Sequence, residues 1–182
     1  VLKVDVAGNV TSLGAKTSAY FNFPVSYDSV KFIDNDNDGK LEYAVITEMV
    51  PAKVNYISNT EIIAGATSYK VADNNVATGL AKNDYVVVSG NAYDECVDIN
   101  KVEMITGKVD GYKTANAGSD HQYLVGGTWY IADTKQTADA GDDMELIAVN
   151  GVIFYSDKLA GSSNLDGVVL VTDVDNTGSN VV

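Results

Sequence analysis

The chain has 182 residues, 46% of them apolar, and a formal charge of −13 from 25 acidic side chains against 12 basic ones, all lysine. Binding to nucleic acid or to an anionic membrane surface would work against that field. No stretch approaches the roughly 18 consecutive apolar residues of a membrane-spanning helix, so membrane insertion is not expected. The length leaves room for one larger domain or two to three small ones.

The chain opens Val1-Leu2-Lys3-Val4, without Met and without a signal peptide, and reads as a mature or excised piece of something longer. Residues 1–23 carry two short β-type runs, Leu2 to Val6 and Tyr20 to Phe23. Asn9-Val10-Thr11 fits a glycosylation sequon, a tripeptide common by chance. Pro24 then leads into Val30-Lys31-Phe32-Ile33.

The densest cluster of ligand-type residues follows, Asp34-Asn35-Asp36-Asn37-Asp38-Gly39-Lys40-Leu41-Glu42. Carboxylates at alternate positions can converge on a hard cation, which takes six to eight oxygens at about 2.3–2.6 Å, and the glycine stands where such a loop must turn. The twelfth place holds Val45 instead of the bidentate Glu of an EF-hand, and the flanks alternate as strands do. The pattern predicts a calcium-type loop closing a β-hairpin. Its expected ligands are Asp34, Asp36, Asp38 and Glu42, with the carbonyl of Lys40 in the seventh place. A solvated acidic turn is the alternative, since Asp, Asn and Gly are ordinary turn residues.

The return strand is expected to run to about Met49, with Pro51 as punctuation. From Lys53 onward, short β-branched and aromatic runs alternate with turns: Lys53 to Ile57, Glu61 to Ile63, Thr67 to Val71, Tyr85 to Val88, Val97 to Ile99 and Val102 to Ile105. No apolar residues recur at helical spacing over two clean turns.

The chain also repeats. Ile63-Ala64-Gly65-Ala66-Thr67-Ser68-Tyr69 aligns with Leu124-Val125-Gly126-Gly127-Thr128-Trp129-Tyr130, and Ala52-Lys53-Val54 answers Gly107-Lys108-Val109. Ala81-Lys82-Asn83-Asp84 is matched to Ala140-Gly141-Asp142-Asp143, the "small-x-x-Asp" turn before a strand. Asn150-Gly151 between two β-type runs signals a tight hairpin. Beyond it stand a Gly161-Ser162-Ser163 linker, a strand from Gly167 to Thr172, and Asp173 to Gly178, a thin echo of the acidic motif.

The fold expected is all-β: tandem small β-barrel or sandwich modules preceded by a β-hairpin with an acidic calcium-type loop. The divisions expected are 1–50, 51–106, 107–158 and a C-terminal linker and strand over 159–182.

Catalytic signatures are missing. His121 stands alone in a polar stretch, where a solvated side chain is expected, and no Gly-x-Ser-x-Gly elbow accompanies it. Cys96, the one cysteine, has no neighbouring histidine and reads as a small buried apolar residue. Zinc-ligand spacing, phosphate-binding loops and dinucleotide fingerprints are absent. Among the aromatics, Trp129 and Tyr130 are the best candidates for an exposed pair, with packing the favoured role.

The order Pro24-Val25-Ser26-Tyr27, Val30 to Gly39, Ala52-Lys53-Val54-Asn55-Tyr56 and Lys82 to Val88 resembles the repeat regions of large clostridial-type cell-surface proteins that carry S-layer homology domains. The second copy, from Thr106 through Gly127-Thr128-Trp129-Tyr130 to Val152, is similar to the same regions. The resemblance covers about residues 24 to 158, and no anchoring S-layer homology domain is visible. It implies a secreted, extracellular, non-catalytic structural segment of an S-layer or filament. The partners expected are further copies or neighbouring surface-protein domains. An adhesin-like module binding carbohydrate or protein is the alternative.

Overall fold

Strands dominate because the apolar residues alternate and are rich in valine, isoleucine and tyrosine, which fit a pleated half-buried surface. A computed structural model of the chain describes residues 1–15, 27–115 and 120–160. The protein is all-β, and its described residues fall into three successive sheets. Tyr20 to Phe23, Pro24 to Ser26 and everything expected from Gly161 onward lie outside the described residues.

The first sheet has the order β2-β1-β4-β3, from β1 (Leu2–Val4), β2 (Val10–Ser12), β3 (Ser29–Ile33) and β4 (Tyr43–Thr47). β3 and β4 form the expected hairpin, with Ile33 opposite Tyr43 and the acidic loop between them. β1 lies parallel to β4 on its other side.

The second sheet runs β7-β6-β5-β9-β10-β8. Its strands are β5 (Met49–Ile57), β6 (Glu61–Ala64), β7 (Thr67–Lys70), β8 (Asn75–Val76), β9 (Tyr85–Asn91) and β10 (Cys96–Val102). A 3-10 turn, Val71–Asp73, precedes β8. The third unit is a closed barrel, β11-β12-β13-β15-β14, from β11 (Ile105–Lys113), β12 (His121–Val125), β13 (Thr128–Ala132), β14 (Asp143–Val149) and β15 (Val152–Lys158).

Five strands of the second sheet and the five of the barrel follow one plan. β7-β6-β5-β9-β10 has the same order as β13-β12-β11-β14-β15. A β-bulge falls at Val54/Tyr56 in the first and at Val109/Gly111 in the second, where it bends the strand toward closure. The ends differ. In the barrel β13 pairs directly with β15, at Ile131 and Val152. In the second sheet β8 occupies that side of β10, with Val76 beside Ile99, and β7 remains an edge.

Three details of the sequence reading are corrected. Pro51 is a residue of β5, opposite Val87, rather than a break. It is tolerated because β5 has no partner on its other edge before Val54, so a missing N–H costs no ladder bond there. Val102 to Ile105 is the junction of β10 and β11 rather than one strand, with Glu103 and Met104 as the whole linker. The aspartate equivalent to Asp84 is Asp142, one residue earlier than the sequence alignment placed it.

Hydrogen bonds establish that equivalence. The carboxylate of Asp84 accepts the backbone N–H of Ala81 at 2.9 Å, and its carbonyl accepts Val54 N–H at 2.8 Å. Asp142 accepts Asp139 N–H at 2.9 Å, and its carbonyl accepts Val109 N–H at 2.8 Å. A lysine from the last strand completes each arrangement, Lys101 at 3.3 Å and Lys158 at 2.8 Å. One aspartate thus joins the first, fourth and fifth strands of its unit.

Each unit has its own core. Val54, Ile62, Val86, Val88 and Ile99 are fully buried in one, and Val109, Tyr123, Val125, Met144 and Leu146 in the other. Burying each such aliphatic side chain contributes about 1.5–3 kcal/mol. Folds of about 60 residues or fewer bury a smaller share of their surface and are marginal alone, so contacts between units matter.

Those contacts are specific. Tyr85 of β9 stacks on Tyr155 of β15, with ring centroids 5.1 Å apart, and Phe154 packs edge-on against both Tyr85 and Tyr27 at 6.2 Å. Such pairs contribute about 0.5–1.5 kcal/mol beyond the area they bury. Burial, followed by the hydrogen bond to Glu145, pushes the Tyr155 phenol up to about 12, so it remains a neutral donor. Asn150, in the expected hairpin turn at φ +50°, donates to the carbonyl of Tyr27 at 2.6 Å. The first sheet meets the second by close backbone approach at Gly90, whose neighbours are Asp5 and Gly8.

A Cβ at Gly90 would lie 1.9 Å from the Asp5 carbonyl oxygen and 2.4 Å from the Gly8 nitrogen, both backbone atoms that cannot swing away. Gly90→Ala is expected to destabilise the protein by about 1–3 kcal/mol, the usual cost of overpacking. Amide exchange should show β1 losing protection first; unchanged protection at Leu2 to Val4 would contradict the role of this contact.

Asp84 is held below its ordinary value of 3.8, by the Ala81 N–H and secondarily by Lys101. Asp142 is also lowered, chiefly by Lys158 and then by the Asp139 N–H. A lowered carboxyl lends stability that is complete above the unfolded value and is lost as pH falls through the folded one. Urea midpoints should therefore drop as pH passes below 3.8, and Asp142→Asn should be weaker at neutral pH with a shallower acid decline. Parallel pH profiles for the two proteins would rule this out.

Candidate metal centre

The acidic loop closes the β3–β4 hairpin, and its own side chains build it. Asp34 accepts Asn37 N–H at 2.6 Å on one oxygen and Gly39 N–H at 2.9 Å on the other. Asp36 accepts Asp38 N–H at 3.2 Å, and Asp38 accepts Lys40 N–H at 2.8 Å. Glu42 reaches back to Asn35 N–H at 2.5 Å, while its own N–H meets the Ile33 carbonyl at 3.1 Å. Short Asx turns of this kind are what Asp and Asn favour over a continued ladder. Asn37 at φ +61° and Gly39 at φ +86° supply the two left-handed residues that fold the loop inward.

The result is convergence. Asp34, Asp36, Asp38 and Glu42 each offer an oxygen, and these four oxygens lie within 4.8 Å of one another. Two ligands on opposite sides of a large hard cation stand at most about 5.2 Å apart, so the cluster has the span such an ion requires. The sequence-predicted carboxylates are therefore brought together, and the group could hold a metal ion.

Lys40 enters through its side chain. Its ammonium lies 2.9 Å from Asp38 Oδ2, mostly in solvent. That contact, followed by the Lys40 backbone N–H, holds the Asp38 carboxyl below its ordinary value. Four carboxylates face one ammonium, so the loop keeps an excess of negative charge. An arriving cation would meet Lys40 as a competitor at Asp38.

Elsewhere the structure revises the candidate residues. His121 begins β12 instead of standing in solvent, with its ring parallel to Tyr112 and Nδ1 2.8 Å from the Tyr112 hydroxyl. Its place was hidden because Asp120 and Gln122 read as loop, whereas Tyr112 reaches it only through the β11–β12 pairing. Cys96 is half-buried rather than buried, and its sulfur accepts from Asn75 Nδ2 at 3.3 Å. Trp129 is 39% exposed, with Lys113 Nζ 3.9 Å from the ring centroid, while Tyr130 packs against the barrel core. Asn9 of the sequon donates its side-chain amide to Asp5.

Fold and site together define an all-β protein of successive sheets whose β3–β4 hairpin carries an acidic loop that could hold a metal ion. In comparison with known proteins, no family model, no curated protein and no solved structure matches this chain.

If Lys40 competes for the site, Lys40→Ala should bind a divalent cation more tightly than the unaltered protein, because the substitution removes the ammonium and keeps the carbonyl. Isothermal titration measures this directly. Equal or weaker affinity would show that the lysine does not oppose the ion.

Proposed function

We propose that this chain is a non-catalytic structural segment of the bacterial cell surface, a building block of an S-layer or extracellular filament stiffened by calcium. The observation that carries the reading is the way consecutive β-units dock with almost no slack between them. Glu48 alone separates β4 from β5, and Glu103 and Met104 alone separate β10 from β11. The aromatic joint of Tyr27, Tyr85, Phe154 and Tyr155 then fastens the units side to side. A spacer needs this stiffness, while a catalyst needs a pocket with convergent reactive groups.

Calcium suits the loop better than magnesium. Four carboxylates on a short exposed turn match the flexible, oxygen-rich shell of calcium, whereas magnesium keeps most of its water and demands near-ideal octahedral geometry. An extracellular site fits both the acidity and a weak loop, since modules outside the cell bind calcium at about 10⁻⁴–10⁻³ M. Self-association or contact with neighbouring surface domains is the expected partnership.

The exposure of Trp129 and of Tyr93, which is 93% accessible, favours a second reading as a carbohydrate- or protein-binding module. Against it, the Lys113 ammonium already covers the Trp129 ring. A glycan would have to displace it to stack there.

Calcium should raise the melting temperature, magnesium should do so less, and Asp36→Ala should abolish the gain. No response to calcium or to EDTA would remove the ion from the reading. Electron microscopy of the purified protein with and without calcium tests the array itself, and dispersed particles under both conditions would count against assembly.

A further inference from the structure

The three sheets share a feature of strand direction that bears on how the chain carries load. In the second sheet β5 starts at Met49, beside Ser89, and runs to Lys53, beside Tyr85. β10 starts at Cys96, beside Asn91, and ends at Val102, again beside Tyr85. The first and last strands therefore run the same way, each antiparallel to β9 between them.

The barrel repeats this. β11 starts at Ile105, beside Leu146, and passes Lys108, beside Asp143. β15 ends at Lys158, beside Met144, so β14 again lies between a first and a last strand of one direction. In the first sheet the arrangement is more direct, because β1 and β4 are parallel neighbours, with Leu2 beside Val45 and Val4 beside Thr47.

Direction decides what tension does. Ladder hydrogen bonds stand perpendicular to antiparallel strands. Where the strands that receive and deliver force run antiparallel and adjacent, pulling opens the ladder one pair at a time from its end. Where they run the same way, pulling slides them along each other, and every bond of the register is loaded at once. β9 is held by ladders on both flanks, Met49 to Lys53 on one side and Cys96 to Val102 on the other. The lysine–aspartate ties reinforce the delivering ends, since Lys101 and Lys158 stand at the ends of β10 and β15 and grip the turns that hold the first strands.

We propose that this chain is a load-bearing tether, each of whose three described sheets takes tension applied at its two ends in shear. The short links at Glu48 and at Glu103-Met104 deliver force to the next unit without lengthening. The inference deepens the structural reading and rests on it for the source of the load.

Single-molecule force spectroscopy tests it on the full chain in two pulling directions. In one the protein is tethered through its termini. In the other it is tethered through Lys82→Cys and Glu103→Cys with Cys96→Ser, so that force parts β9 from β10 at Tyr85 and Val102 and peels them pair by pair. Both attachment residues are exposed, and neither direction requires a core substitution. Forced unfolding reports the unfolding barrier along the chosen direction. Terminal pulling is expected to need several-fold more force than the peeling direction at the same loading rate. Equal forces, or a weaker terminal direction, would overturn the proposal. Its failure is distinct from that of the structural reading: arrays seen by electron microscopy with equal forces would leave assembly standing, and dispersed particles with a large ratio would leave the tether standing.

Discussion

The tie at Asp84 and Asp142 is the constraint on which the rest of the structure depends. One carboxylate holds its own turn closed and meets a lysine, and the carbonyl of the same residue takes the N–H of the first strand. The first and fourth strands are thereby brought into register across a long stretch of intervening chain, whose ordering costs entropy. Once β5 lies against β9, and β11 against β14, the bulges at Val54/Tyr56 and Val109/Gly111 turn the first strand over onto its hairpin partner. The cores then fill from both sides. The two units diverge where the barrel closes by β13 on β15 and the second sheet inserts β8.

Docking follows from size. Each unit is small enough that its own core leaves little margin, and the surfaces it leaves are used to join the units. The Tyr85–Tyr155 stack, the Phe154 edge contacts and the Asn150 bond to Tyr27 join the barrel both to the second sheet and to the chain leading into β3. Gly90 does the same for the first sheet by having no side chain at all. The acidic loop therefore sits at the tip of a hairpin whose base is fixed on several sides. An ion there would stiffen the one part of the hairpin that the joints do not reach, which is the role the proposed function gives it.

Much of this was legible in the residues. The alternation of the acids with Gly39 predicted a turn whose carboxylates converge, because Asx turns are local and need no distant partner. Asn150-Gly151 likewise specified its hairpin through the positive φ both residues adopt. The repeat was visible where the matched residues face a core, Val54 with Val109 and Ala64 with Val125, since burial restricts what can stand there. It slipped by one at Asp142-Asp143, where two adjacent aspartates look alike in sequence and the contacts to Asp139, Val109 and Lys158 distinguish them. Pro51 misled because a proline signals a break unless the strand edge it faces is bare, and that depends on where β6 ends.

The sequence by itself determined the all-β class, the acidic loop, the tight hairpins and the tandem plan, all features written in contacts a few residues long or in two-residue alternation. Tertiary structure alone decided the rest: which copy closes into a barrel, that His121 stacks on Tyr112, and that first and last strands run the same way in each described sheet. Those depend on pairings between residues far apart in the chain. Local chemistry does not encode such pairings, because strand direction and partner choice are settled only when the sheets assemble around shared cores.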